Sequence, residues 1–153
     1  MPEKMTPAKA AALRKPFERA QIGRLPKGGQ QLDFVGHAVT TDRLLSVDPE
    51  WTWEPVAFGP DGLPAFTTGK GLWIRLTVCG VTRYGFGDGP TVKECIGDAI
   101  RNAAMRFGVA LDLWTKEEGE QANGPTYVPS APVSAADFKP QQAPDYDDAK
   151  APS

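Results

Sequence analysis

Apolar and polar residues alternate most regularly between Leu72 and Cys79. The residues on one face of this stretch are Leu72, Ile74, Leu76 and Val78, and those on the other are Trp73, Arg75, Thr77 and Cys79. Strict alternation with a period of two predicts a β-strand with one buried face. Cys79-Gly80 fits a hairpin turn, which makes Val81 to Phe86 the next strand. Trp51 to Phe58 is a further predicted strand, and Pro55 favours an edge position or a bulge there.

A helical period follows between Thr91 and Trp114, which we predict as one helix. The apolar residues that recur on one arc of this helix are Val92, Ile96, Ala99, Ile100, Ala103 and Phe107. Thr91 is a suitable N-cap, and Glu94 three residues later completes a capping-box pattern. Gly108 follows the last periodic residue, as a C′ glycine does. Because Ala99, Ala103 and Ala104 are small, the helix can pack closely against another element.

The rest of the chain contains weaker signals. Ala8 to Arg19 is rich in alanine and charge and predicts a helical segment that Pro16 interrupts. Leu32 to Val47 has an imperfect apolar stripe and predicts a second helix, while Gly28-Gly29 and the stretch from Gly59 to Lys70 predict loops. The order of elements predicts an α+β fold. Its β-β-β-α core is an antiparallel three-stranded sheet followed by a long helix, with helical segments before it.

Composition divides the 153 residues into three parts: an N-terminal, partly helical arm (1–26), a core domain (27–116) and a Pro-rich acidic tail that we predict to be disordered (117–153). The net charge is −2, but it is unevenly spread. Residues 1–31 carry seven Lys and Arg against two acids, whereas residues 116–153 carry three Lys against seven acids. This asymmetry is typical of nucleic-acid binding combined with an interaction tail. A solvated surface with a solubilising tail is the alternative.

The sequence contains no pattern of a catalytic, metal or nucleotide site. It has neither a phosphate-binding P-loop nor a dinucleotide-binding glycine motif. His37 is the only histidine, and Cys79 and Cys95 lack the spacing of metal ligands. We therefore expect no enzyme activity, no metal and no cofactor. The absence of an apolar run of about 18 residues and of a signal-peptide pattern predicts a cytoplasmic protein without a membrane partner.

Four motifs, in order, resemble one protein family. They are Gly28-Gly29-Gln30 with Phe34-Val35-Gly36-His37-Ala38-Val39, then Trp51, then Tyr84-Gly85-Phe86-Gly87, and finally the run from Lys93 to Gly108, KECIGDAIRNAAMRFG. The last run resembles the signature helix of the Rad-fifty-two family of single-strand annealing proteins. The likeness extends over residues 13–114, and it indicates a compact, phage-type member.

The resemblance implies ATP-independent binding and annealing of complementary single-stranded DNA in homologous recombination and DNA repair. It also implies a homo-oligomer, either a ring or a helical filament, in the cytoplasm of a bacterial host. We expect the segment from Leu13 to Leu25 to act as an arm on a neighbouring subunit. The acidic tail is expected to recruit a replication or recombination partner through Phe138 or Tyr146. The alternative is a non-enzymatic protein-interaction module, such as a phage regulator of a host protein.

The resemblance also suggests where DNA binds. Arg101 occupies the position of a phosphate-contacting lysine in the family, while Asn102 and Ala38 stand where the family can have basic residues. The full set of candidate DNA-binding residues is Lys27, Arg75, Arg83, Tyr84, Lys93, Arg101, Asn102 and Arg106. Cations neutralise the phosphates and aromatic rings stack on bases, which is the chemistry that single strands require. The alternative for Arg101 is an ion pair with Asp98 on a solvated helix face.

Overall fold

A computed structural model describes residues 4–27, 30–67 and 70–121, without the side chains of residues 27, 30, 31 and 118–121. The helices are α1 (Pro7–Arg14), α2 (His37–Val47), α3 (Val92–Met105) and α4 (Leu111–Gln121), with a 3₁₀ turn at Arg19–Gln21. The strands are β1 (Gly23–Lys27), β2 (Gln30–Phe34), β3 (Thr52–Pro55), β4 (Leu72–Val78) and β5 (Val81–Gly87). The predicted α+β fold is confirmed, with α3 packed on the sheet β3-β4-β5.

The three-stranded sheet follows the sequence pattern closely. Strand β4 lies between β3 and β5, and both pairings are antiparallel. The predicted inward residues of β4 are fully buried: Leu72, Ile74, Leu76 and Val78. Cys79 and Gly80 both have positive φ angles, of 51° and 74°. A tight two-residue turn with two positive φ angles matches the twist of an antiparallel pair, so the predicted hairpin is confirmed. Pro55 lies at the edge of the sheet, as expected.

Helix α3 lies unusually close to β5 because two glycines face it. A Cβ atom on Gly85 would lie 2.5 Å from the Cβ of Ala103, and one on Gly87 would lie 2.2 Å from the amide nitrogen of Ala99. Both alanines are fully buried. The close packing predicted from the alanines is therefore confirmed. The missing side chains of these two glycines allow the helix to approach the strand.

The ends of α3 only partly match the prediction. The Thr91 hydroxyl accepts a hydrogen bond from the Glu94 amide at 3.2 Å, so the predicted N-cap is confirmed. The prediction of one helix from Thr91 to Trp114 was wrong, because α3 ends at Met105 and α4 begins at Leu111. Gly108 has a φ of +96° in the connection, a conformation that terminates helices. Helix α4 then continues to Gln121, past the predicted core boundary, and the remainder of the predicted tail lies outside the described residues.

The prediction of one helix from Leu32 to Val47 was also wrong. Residues Gln30–Phe34 form β2, which pairs with β1 in an antiparallel ribbon, and α2 begins only at His37. Pairing with a distant segment satisfies the backbone of this stretch and overrides a weak helical pattern. The predicted loop at Gly28-Gly29 lies outside the described residues.

The N-terminal segment packs on its own chain. Leu13 is fully buried in the core, and the Arg43 guanidinium lies over the Phe17 ring while donating to the carbonyl of Lys15 at 2.6 Å. The Met5 amide donates to the carbonyl of Cys79 at 3.1 Å. The expectation that this segment reaches a neighbouring subunit was therefore wrong for Leu13, because an apolar side chain in the core contributes to the stability of its own fold.

Asp48 joins the end of α2 to the β4–β5 turn. Its side chain is buried; one carboxylate oxygen accepts from the Cys79 amide at 2.7 Å and the other from the Glu50 amide at 2.9 Å. A buried carboxylate is tolerated where donors satisfy it. Both cysteines are buried and free.

Candidate nucleic-acid interface

A groove of about 800 Å³ separates the β1–β2 ribbon from the N-terminal half of α3. Ribbon residues line one side of the groove: Leu25, Leu32, Asp33 and Phe34. Residues of α3 line the other side: Lys93, Glu94, Gly97, Asp98, Arg101 and Asn102. Trp114 of α4 also lines the groove. His37 of α2 also lines the groove. A Cβ atom added to Gly97 of α3 would lie only 3.0 Å from the His37 ring. Close packing of α2 on α3 thus shapes the groove.

Arg101 contacts several of the elements that surround this groove. Its Nε donates to the carbonyl of Val35 at 2.7 Å, and Nη1 pairs with Asp98 at 3.1 Å. The guanidinium carbon lies 5.7 Å from the ring centre of Phe34 and 5.4 Å from that of Trp114. A planar cation between two rings gains from cation–π attraction. The side chain thereby connects the ribbon, α3 and α4. The ion pair with Asp98, which was the alternative to a phosphate contact, is present.

Two further candidates line the same groove. Asn102 accepts a hydrogen bond from the Phe86 amide at 3.0 Å through Oδ1, which satisfies a donor on the outer edge of β5. Lys93 is exposed in the first turn of α3. Ala38, where the family can have an arginine, lies in the first turn of α2 and is exposed. Of the predicted residues, Lys93 and Arg101 are therefore the cations that the structure places in the groove.

Arg83 and Arg106 meet at the opposite end of α3. Arg83 lies on the helix side of β5, where its Nη1 donates to the carbonyl of Arg106 at 2.6 Å. Its guanidinium also covers the Phe107 ring at 4.7 Å. Neither residue lines the groove. Their positions close the C-terminal end of α3, where a cation complements the free carbonyl groups.

Arg75 and Tyr84 occupy the open face of the sheet, away from α3. They are paired across β4 and β5. Arg75 forms an ion pair with Glu54 at 2.9 Å, and hydrogen bonding to Glu54 is the main cause of its raised pKa. Tyr84 and Trp73 remain 54% and 48% exposed, and the rings of Trp73 and Phe86 are 5.1 Å apart. This face offers aromatic surface with a neutralised arginine.

The remaining candidate, Lys27, ends β1 and pairs with Gln30. Its side chain lies outside the described part of the chain, so its position relative to the groove stays a prediction.

Sequence analysis missed a cation cluster beside the groove, around the groove-lining residue Asp33. In the part of the chain that the structure describes, Arg19, Arg24 and Lys116 converge on Asp33 at 3.3, 3.4 and 3.1 Å. The hydrogen bond from Lys116 is the main cause of the lowered pKa of Asp33. We call these four residues the Asp33 cluster. Arg24 and Asp33 face each other across the ribbon, a relationship that appears only when residues 30–34 are assigned to a strand.

Most of the charged side chains that line the groove are acidic: Asp33, Asp88, Glu94, Asp98 and Glu117, against Lys93 and Arg101. Along α3, the Asp98 carboxylate accepts from Arg101 and from the Asp88 amide at 3.1 Å, and Glu94 accepts from the Thr91 hydroxyl. These two carboxylates thus satisfy local donors. The excess of cations lies in the Asp33 cluster beside the groove, so the field is most favourable for a polyanion there.

Two negative findings concern chemistry and the membrane. Within residues 4–27, 30–67 and 70–121, no three His, Cys, Asp or Glu side chains are grouped to hold a metal ion. Across the same residues, no helix combines the length and apolarity that spanning a bilayer requires.

Comparison with known proteins assigns no family. No protein-family model matches the chain, and no curated protein matches it significantly.

Proposed function

We propose that this protein binds single-stranded DNA and anneals complementary strands without hydrolysing a nucleotide. The resemblance of its motifs to the Rad-fifty-two family supports this function, as does the groove beside α3. No covalent bond changes during annealing, so the proposed activity requires binding groups and no catalytic group.

The observation that carries the proposal is the Asp33 cluster. Three cations with one carboxylate leave two positive charges in excess within this cluster, which adjoins the groove through Asp33. Single strands bind through neutralised phosphates, so a local excess of Arg and Lys is the feature that a backbone needs. The guanidinium of Arg24 can donate hydrogen bonds to two phosphate oxygens at once.

The interior of the groove suits the bases. Phe34 and Trp114 present rings beside Arg101, and Leu25 is exposed on the ribbon. Base stacking on aromatic rings tolerates any sequence. In the proposed mode, phosphates follow the ribbon wall and the base edges face outwards, where a second strand can pair with them.

Assembly into a homo-oligomer, as a ring or a helical filament, belongs to the same proposal. Repetition of the groove in adjacent subunits would hold a strand longer than one subunit can contact. Light scattering at micromolar concentration, with and without DNA, tests this part: a multimer of many subunits is expected, and a monomer under both conditions would contradict it.

The decisive experiment combines an annealing assay without nucleotide and fluorescence anisotropy at several salt concentrations. Arg24→Ala with Lys116→Ala should weaken binding of a labelled oligonucleotide and reduce the slope of log affinity against log salt by about 0.7 per lost contact. The effect should be the same for unrelated sequences, because phosphate contacts carry no base information.

Two comparison variants make the result specific. Lys4→Ala removes one positive charge, against two in the double variant, next to Met5, whose amide donates to the Cys79 carbonyl in the β4–β5 turn; wild-type binding is expected. Arg75→Ala tests the open sheet face, and a wild-type salt slope would assign the phosphates to the groove. If the double variant folds normally and binds like the wild type, the cluster is not the DNA site.

The open sheet face favours a second candidate, a protein-interaction module. Trp73 and Tyr84 are about half exposed there, and exposed aromatic residues are enriched where proteins bind each other. A folded wild-type protein that neither binds nor anneals single strands would favour this alternative over DNA annealing.

A further inference from the structure

The Asp33 cluster presents its cations to solvent and its carboxylate to the protein. The side chains of Arg24, Arg19 and Lys116 are 58%, 54% and 46% exposed, whereas that of Asp33 is 13% exposed. One shielded carboxylate therefore brings three outward cations close together. A cluster that is assembled before binding can accept a further anionic group at a lower entropic cost.

The chain itself supplies an anion of suitable charge. Beyond Gln121, the last described residue, the sequence has four aspartates and two lysines. Three of these aspartates fall within the segment from Asp145 to Asp148. We propose that the Asp33 cluster is a binding site for acidic peptide, and that the Asp145–Asp148 segment of the same chain occupies it.

The starting point of the tail favours this occupant. Lys116 belongs to α4, whose last residue is Gln121, so the last described residue lies about 8 Å from Lys116 along the helix axis. Asp145 follows about 24 residues later, and a flexible chain of that length spans about 25–30 Å. A tether of this length gives an effective concentration in the millimolar range. At that effective concentration, even a weak site for an acidic segment is occupied.

The consequence for regulation rests on the proposed function. If the cluster binds phosphates of DNA, the tail competes with them and the competition is strongest at low salt. The docking itself does not depend on DNA, so the two proposals can fail separately.

Zero-length carbodiimide cross-linking of the full-length protein tests the docking without DNA. The reagent joins a lysine amine to a carboxylate that it contacts, and mass spectrometry identifies the pair. Lys116 should cross-link to the Asp145–Asp148 segment, and this product should disappear in 1 M salt, at a Debye length of about 3 Å. The Lys116–Asp33 pair, at 3.1 Å, is the internal positive control, and Lys4 is the negative one.

A matched variant separates docking from mere tethering. Arg19→Ala with Arg24→Ala retains Lys116 and the tail but removes two cations of the site, so the tail cross-link should fall several-fold. An unchanged yield would show that tethering alone produces the product and would overturn the proposal. A mixture of isotopically light and heavy protein should give cross-links within one chain; mixed products would overturn occupation by the same chain.

The regulatory step has its own measurement. Replacement of Asp145, Asp147 and Asp148 by Asn in the full-length protein should tighten binding of a labelled single strand several-fold at low salt and have little effect at high salt. If the cross-link forms but affinity does not change, the tail docks without competing with DNA. If neither protein binds DNA, the proposed function fails while the cross-linking result still decides the docking.

Discussion

Arg101 Nε donates a hydrogen bond to the carbonyl of Val35 across 66 positions of sequence, at 2.7 Å. Replacement of a surface arginine without buried partners changes stability by no more than about 0.5 kcal/mol. The bond instead makes Arg101 a structural connection between the segment before α2 and the centre of α3. Its guanidinium still faces the groove, so the same residue contributes to stability and to the charge of the proposed interface.

Replacement of Arg101 by Ala should reduce the free energy of unfolding by about 1–3 kcal/mol, because the partly buried Val35 carbonyl loses its donor. Urea denaturation followed by circular dichroism measures this loss. Arg106→Ala is the matched control, since Arg106 is an exposed arginine at the end of the same helix; a change within about 0.5 kcal/mol is expected there. Equal costs for the two variants would contradict the structural role of Arg101.

Gly85→Ala should destabilise the fold by about 1–3 kcal/mol, since its new methyl group would lie 2.5 Å from Ala103 and force α3 away from the sheet. Gly36 is the comparison, because a Cβ atom there meets nothing within 4 Å. Gly36→Ala should cost less, although Ala is a poorer N-cap than Gly. Thermal unfolding of both variants distinguishes them, and a larger loss for Gly36→Ala would refute this account of the helix–sheet contact.

Asp48→Ala should lower the free energy of unfolding by about 1–3 kcal/mol because it leaves the buried Cys79 amide without an acceptor. Asp61 performs a similar local task in an exposed loop, where Oδ1 accepts from the Leu63 amide at 3.0 Å. Asp61→Ala should cost much less, since water can replace the lost acceptor. Chemical denaturation of the pair is the measurement, and indistinguishable midpoints would show that burial of Asp48 is not decisive.

The lowered pKa of Asp33 makes a prediction about acid. Its ordinary value is 3.8, and a carboxyl whose pKa is lower in the folded state stabilises the fold above that value. This contribution is lost as pH falls through the lower folded pKa. Asp33→Asn should therefore be less stable than the wild type at about pH 5, and the difference should shrink on acidification to about pH 2.5.

Lys116→Gln provides the control for this pH dependence. The hydrogen bond from Lys116 is the largest cause of the lowered pKa of Asp33. When Lys116→Gln is present, the free energies of unfolding of proteins with Asp33 and with Asn at position 33 should therefore differ less at about pH 5. Urea midpoints at both pH values test the pair. If the wild type and Asp33→Asn differ in free energy of unfolding by the same amount at all pH values, the charge of the Asp33 carboxylate does not contribute to stability.

The sheet was predictable because its information is local. Alternation along β4 identified the buried face, and Cys79-Gly80 identified the turn. Thr91 and Glu94 identified the start of α3 for the same reason, since a capping box lies within one turn. The ribbon was missed because β2 is defined by its partner β1, and its own residues have a weak pattern that also fits a helix.

The candidate site was less predictable than the fold. The sequence placed Arg101 on the correct helix, but its bond to Val35 depends on a distant backbone atom. Arg75 and Arg83 were taken to lie together on adjacent strands, and the register shows that they face opposite sides of the sheet. Arg19, Arg24 and Lys116 come from three separate segments, so no motif connects them before folding.

The β1–β2 ribbon has a further consequence for motion. Two strands alone are marginally stable in water, and within the described residues this ribbon pairs with no third strand. Its attachment depends on a few side-chain connections, among them Lys116 to Asp33. Segments with such sparse anchoring open at a lower free energy than the core and exchange their amide hydrogens sooner. We therefore expect the width of the groove to depend on opening of the ribbon wall, and an anion that contacts both Arg24 and Lys116 to favour the closed state.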